Sequence, residues 1–182
     1  MYPVDPVKLI ASIVYRDEPV RSDIKDFMMR RWGLVDFESD PTPFTTDDKL
    51  IEEMGAPLFR TFISFTRLID PGEIALIKMA CLGLEDRFRH QGKPRVNLDP
   101  GYLDLYKTAM TSTRFAGQRI YHSAGIYLEM MLLFVKDKCQ PFPWSPVDFK
   151  NHIYDEDLLA IRNLYKPALE AHRIQAENRI VK

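Results

Sequence analysis

The run from Phe59 to Glu73 constrains this chain most tightly. In Phe59 to Leu68 (FRTFISFTRL), Phe59, Thr61, Ile63 and Phe65 alternate with Arg60, Phe62, Ser64 and Thr66, which is the period of a strand. Phenylalanines fall on both sides, so both faces of that strand are expected to be covered. Asp70-Pro71-Gly72-Glu73 follows as a helix start. Asp70 suits the N-cap, Pro71 the first helical position, and Glu73 the capping-box position three residues after the cap. Ile74, Ile77, Cys81, Leu84 and Phe88 then recur at helical spacing, predicting a helix to about His90 that ends at Gly92-Lys93-Pro94.

Val7 to Tyr15 is short, apolar and β-branched, and reads as a buried first strand bounded by Pro6 and Arg16-Asp17-Glu18-Pro19. Ser22 is the expected cap of a helix carrying Ile24, Phe27 and Met28, ended by Gly33. Leu34 to Phe37 starts a second strand, and Asp47 to Met54 a short helix stopped by Gly55 and Pro57. Arg95 to Leu98 reads as a short strand followed by a turn at Asp99-Pro100-Gly101, while Tyr102 to Met110 fits helix or strand equally. Gln118 to Tyr121 and Ile126 to Lys136 form an expected antiparallel hairpin joined by His122-Ser123-Ala124-Gly125, with Asp137-Lys138 closing its second strand. The proline-rich Pro141 to Pro146 is expected to be irregular. Asp155 to Tyr165 is a final helix with an expected kink at Pro167, and residues 168–182 form a polar tail of helical propensity that can fray. The order of elements predicts a single α+β domain over residues 1–167. Its core is a ferredoxin-like split βαβ unit extended by a C-terminal hairpin and helix, with a small three-layer α/β sheet as the alternative.

Composition excludes some classes of function. A net charge of -1 offers no concentrated positive surface, which argues against nucleic acid as a partner. The N-terminus carries an acid and two prolines instead of a basic-then-apolar export signal, and the longest apolar run, Met130 to Val135, is too short to span a bilayer. With only Cys81 and Cys139 as thiols, a reducing, cytoplasmic setting is expected. No pair of histidines or cysteines has metal-ligand spacing, so no metal is expected. No cofactor or oligomeric state can be read from the residues.

Several stretches together carry a family resemblance. They are Glu53-Met54-Gly55-Ala56-Pro57-Leu58-Phe59, Phe65 to Glu73, Arg95-Val96-Asn97-Leu98-Asp99-Pro100-Gly101-Tyr102-Leu103, Arg119-Ile120-Tyr121 with Gly125-Ile126-Tyr127, and Gln140-Pro141-Phe142-Pro143-Trp144. Through them the chain resembles the bacterial domain-of-unknown-function family 4416, from about Val7 to Tyr165. The resemblance implies a fold neighbourhood and no activity. Members are sometimes labelled GTP-binding, but this chain has no GxxxxGK[ST] loop to cradle phosphates. It also departs from the family pattern, with Lys49 and Leu50 where tyrosines are common and Ser145-Pro146-Val147-Asp148 after the tryptophan.

The residues that best fit a site are Asn97, Asp99 and Tyr102 with Arg119, Tyr121 and Tyr127. An arginine, a carboxylate and tyrosine hydroxyls at strand ends could hold a small anionic molecule. The competing explanation is structural: Asp99 bonds the turn backbone and Arg119 is its ion-pair partner. Arg60 and Arg67 flank a core strand ahead of the Asp70 helix start, where an arginine could assist an anion, or Arg67 could simply pair with Asp70. Trp144 either offers a platform for a partner or plugs the end of the core. Two functions follow: a binding module for a small anionic ligand or partner protein, or an enzyme acting on a phosphorylated or carboxylated metabolite, with Asp99 as base or metal ligand and Arg119 on the anion.

Overall fold

The structure, a computed structural model, describes residues 4–180. Its strands are β1 (Val7–Tyr15), β2 (Val35–Glu38), β3 (Thr42–Pro43), β4 (Phe59–Ile69), β5 (Val96–Leu103), β6 (Lys107–Ser112), β7 (Ile120–Ser123), β8 (Ile126–Val135) and β9 (Lys138–Pro141). Its helices are α1 (Glu18–Trp32), α2 (Asp48–Met54), α3 (Ile74–Arg87), α4 (Val147–Lys150) and α5 (Asp155–Ile180). The chain is thus α+β, and its nine strands make one antiparallel sheet ordered β2-β4-β1-β5-β6-β8-β7, with β3 beside β4 and β9 beside β8. Its nine strands exceed the four of a split βαβ unit and the two of the expected hairpin.

Alternation along β1 divides the interior. Leu9, Ala11, Ile13 and Tyr15 enter a core with Ile24 and Met28 of α1 and Ile74, Ile77 and Cys81 of α3. Ile10 points the other way, into a core with Tyr154, Leu158, Ile161 and Tyr165 around α5. Near the top of the α5 face, Val14 packs with Phe44, Met54 and Leu58. Helices therefore lie on both faces, and β4 is covered on both sides as its phenylalanines require.

Local signals hold where their chemistry is complete. Asp70 accepts from Gly72 N–H at 2.7 Å and Glu73 accepts from Asp70 N–H, so the capping box forms across a 3-10 turn before α3. Asp47 caps α2 by accepting from Leu50 N–H at 3.0 Å. Other boundaries move. α1 begins at Glu18 instead of Ser22, because Pro19 is well placed in the first helical turn. The β7–β8 connection is a two-residue turn at Ala124-Gly125, both with positive φ. A similar turn at Lys136-Asp137 returns the chain into β9, an edge strand that ends on Pro141, and the rest of the proline-rich stretch is irregular. α5 runs unbroken through Pro167.

The largest correction concerns Asp99-Pro100-Gly101, which is not a turn. β5 runs straight from Val96 to Leu103, paired throughout with β1. Pro100 O accepts from Thr111 Oγ1 on the side away from β1, so the missing Pro100 N–H also falls on that side. β6 pairs only with Gly101 to Leu103, leaving no ladder there for the proline to break. Gly101 permits the close approach that follows: a Cβ would lie 2.3 Å from Ala109 O and 3.0 Å from Met110 Cα. The sheet is pinched at Gly101 and parts above it.

Candidate functional site

The parting between β5 and β6 leaves the outer backbone edge of β5 without a neighbouring strand, and α3 completes it. Glu85 accepts from Leu98 N–H at 2.7 Å, and Lys78 Nζ donates to Leu98 O at 2.6 Å and to Asp99 Oδ1 at 2.8 Å. Lys78 Nζ also lies 3.7 Å from Glu85. Burial pulls the Lys78 ammonium down, but Asp99 and Glu85 together outweigh it, and its pKa ends above the ordinary lysine value. Burial pushes the Glu85 carboxyl up, only partly offset by Lys78 and the Leu98 amide.

Above this triad lies a cleft of about 360 Å³. Its floor is the α5 face of the sheet, set by register. Phe62, Ser12 and Asp99 are paired in one row across β4, β1 and β5, and Arg60, Val14 and Asn97 in the next. Met110 and Glu129 extend the floor onto β6 and β8, which pair there. α2 and its N-cap Asp47 contribute Asp47, Leu50 and Glu53 to one wall, Pro146 and Phe149 form part of another, and Thr113, Arg114 and Arg119 come from the loop after β6 and its continuation toward β7. Five basic side chains (Arg60, Lys78, Arg89, Arg114, Arg119) and five acidic ones (Asp47, Glu53, Glu85, Asp99, Glu129) line it, so the cleft carries little net charge.

Most of these charges are already paired. Arg119 Nε donates to Glu129 at 2.7 Å, its Nη1 donates to Arg114 O at 2.9 Å, and Gln118 donates to the same carboxylate at 2.8 Å. Arg60 Nη1 bonds buried Asp148, to which Tyr154 and Thr46 also donate. Its guanidinium lies over the Phe44 ring at 4.4 Å. Three buried side-chain polar atoms among the described residues lack a partner: Ser12 Oγ, Arg60 Nε and Thr108 Oγ1. The first two belong to residues that line this cleft. Among the described residues no group of three His, Cys, Asp or Glu is placed to hold a metal.

The cleft brings together Asn97, Asp99 and Arg119. Asp99 and Arg119 are not each other's partners; each is held by another residue. Tyr102 is excluded by strand geometry: three residues from Asp99, it projects from the opposite face and packs against the α1–α3 core. Tyr121 and Tyr127 stack edge to face at 5.5 Å on the β7–β8 hairpin and do not line the cleft. Arg67 is exposed and forms no ion pair with Asp70. Trp144 donates from Nε1 to Met130 O and stacks on Phe142 at 4.7 Å, covering the outer edge of β8 between β7 and β9.

Ser12, Lys78, Glu85 and Glu129 escape a reading of motifs. For Ser12, Lys78 and Glu129 the signal is a polar residue inside an apolar run: Ser12 within VKLIASIVY, Lys78 on the buried side of α3 between Ile74, Ile77 and Cys81, and Glu129 within IYLEMMLLFV; Glu85 has no such signal.

Fold and cleft together define an α+β protein with a polar pocket opened in its sheet, without a metal cluster or phosphate loop among the described residues. Residues 5–165 match the model of the family described as a domain of unknown function (DUF4416), and the chain belongs to that family. No curated protein and no solved structure matches the chain. No helix among the described residues is long and apolar enough to cross a membrane.

Proposed function

We propose that the protein is a binding module for a small polar molecule held in the cleft between β5 and β6. One observation carries this reading: Ser12 Oγ and Arg60 Nε, buried and without partners, line the same cleft. Each such group costs about 1–3 kcal/mol when left unmade. A ligand that supplies acceptors removes that cost, and Asn97, half-buried beside them with no side-chain bond to any described residue, adds a further polar contact. A cytoplasmic setting is supported by the free, buried Cys81 and Cys139. We read β1-α1-β2-β4-α3-β5 as a ferredoxin-like split βαβ unit, supported by the strand order β2-β4-β1-β5, with residues 1–167 as one domain and the α5 end as its tail.

An enzymatic reading rests on Glu85, a half-buried carboxyl in the cleft whose pKa is raised by burial and which could move a proton. Asp99 suits the role of base less well, since Lys78 occupies its Oδ1. Lys78, kept as an ammonium, is no nucleophile.

A panel of carboxylated, phosphorylated and neutral metabolites, screened by thermal shift on wild type and Asn97→Ala, tests the binding reading. A ligand at about 100 times its Kd stabilises by roughly 2.7 kcal/mol. A shift that is reduced in Asn97→Ala and kept in Tyr102→Phe supports the cleft. A shift equal in all three proteins, or none with any compound, removes it.

A further inference from the structure

Arg60 reaches the cleft floor from β4 with its charge shared and its hydrogen-bonding capacity half used. Nη1 takes both internal partners, Asp148 and, at 3.3 Å, Tyr154 Oη. Nε has no partner, and Nη2 makes no bond to any described residue. Nε and Nη2 form the side-on edge of the guanidinium, two parallel donors whose spacing matches the two oxygens of a planar carboxylate. Phe44 and Asp148 hold the plane of the group, so this edge is fixed in orientation before anything binds. Diagonally across the β4–β1 ladder, in the next row, stands Ser12, whose hydroxyl is buried, unpartnered and on the same face.

We infer that the floor of the cleft is a carboxylate subsite, in which the Nε–Nη2 edge of Arg60 takes the carboxylate side-on and the Ser12 hydroxyl donates to one of its oxygens. The inference rests on the reading of the cleft as a small-molecule site and names the chemical class that site accepts. A singly charged group fits better than a phosphate monoester. Asp148 already shares the Arg60 charge from the Nη1 side, and the cleft's five basic residues are matched by five acids, so a dianion would find little net positive potential. A carboxylate takes both donors of the fork at once, whereas a neutral amide offers one oxygen to two parallel N–H groups. Asn97, in the same row as Arg60 two strands away, and Asp99 beside it face the remainder of the molecule. The ligand is therefore a small carboxylate with a hydrogen-bonding group at its far end.

The Nε–H resonances of arginine in nitrogen-15-labelled protein report on this fork directly. Sodium acetate and succinate are the probes, with acetamide, inorganic phosphate and sodium chloride at matched ionic strength as controls. The Arg60 Nε–H signal is expected to move and saturate with acetate or succinate and to stay in place with acetamide and chloride. Ser12→Ala should weaken the apparent Kd about tenfold. Arg60→Lys keeps the charge beside Asp148 but loses the fork, and should abolish saturable binding. Ser12→Ala, which removes no side-chain bond among the described residues, keeps the test decisive should Arg60→Lys misfold. A response to phosphate without one to carboxylates overturns the inference. So does a stationary Arg60 signal while the Ser12, Asn97 and Asp99 backbone amides respond to other compounds of the panel, and that pattern leaves the small-molecule reading standing. Silence at both Arg60 and those amides overturns the two together.

Discussion

Lys78→Met probes the ion triad that completes the free edge of β5. Methionine fills most of the space of the lysine stem, so no large cavity is expected and the loss is chiefly electrostatic. The Lys78 side chain is 3% exposed, with Glu85 at 17% and Asp99 at 33%. Removing one member of a buried ion pair costs about 3–5 kcal/mol. Solvent around Asp99 and the Leu98 amide held by Glu85 reduce this, while the orphaned Leu98 O adds to it, giving about 2–4 kcal/mol at pH 7. With a urea slope of about 2 kcal/mol/M, the midpoint should fall by about 1–2 M.

The pH dependence of Lys78→Met has a definite sign. The Lys78 pKa is raised above 10.5 in the fold, so its stabilisation is complete below that value and lost as pH rises through the folded pKa. The variant lacks this alkaline loss, and the two stabilities converge at high pH. Glu85, raised above 4.5, favours the fold below 4.5 and loses that contribution as pH rises through its folded value. Without Lys78 its pKa moves further up, so the deficit of the variant also narrows on acidification. A midpoint drop under about 0.5 M at pH 7 with an unchanged slope would refute the reasoning.

Three other outcomes follow from single contacts. Gly101→Ala drives a methyl into the Ala109 carbonyl and the Met110 backbone, and should cost about 3 kcal/mol or more by urea titration, whereas Gly83→Ala, exposed inside α3 with nothing within 4 Å, should stabilise by about 0.5–1 kcal/mol. Asp70→Ala loses the capping box and should cost about 1 kcal/mol, whereas Arg67→Ala should change stability by less than about 0.5 kcal/mol. Burial pushes both the Cys81 and Cys139 thiols up to about 12, so neither should react with a thiol reagent at pH 8 until the protein unfolds, and mass spectrometry of alkylated native protein should show no adduct.

Helix α3 with its capping box, the first strand and the doubly covered β4 were legible because their signals are local. The NLDPGY stretch was not. Asp-Pro-Gly has the composition of a turn, but here proline sits where no partner strand needs its N–H, and glycine where β6 needs its missing side chain. Both facts depend on β6, whose own character the residues left open. Reading a turn gathered Asn97, Asp99 and Tyr102; the strand keeps Asn97 and Asp99 on one face and sends Tyr102 to the other. Arg119 could be suspected from its type, but its Glu129 partner depends on the register of β8. The role of Ser12 and Lys78 is not local: a lone polar residue in an apolar run belongs to a site only where the sheet opens beside it.

Backbone amide shift mapping, with the compound of the panel that stabilises the protein most, tests the central claim most directly. Changes are expected to concentrate at Ser12, at Asn97 to Asp99 and from Ser112 to Arg119. Changes concentrated instead around Tyr102, Tyr106 and Tyr165, which line a separate hollow at the far end of β5, would contradict it.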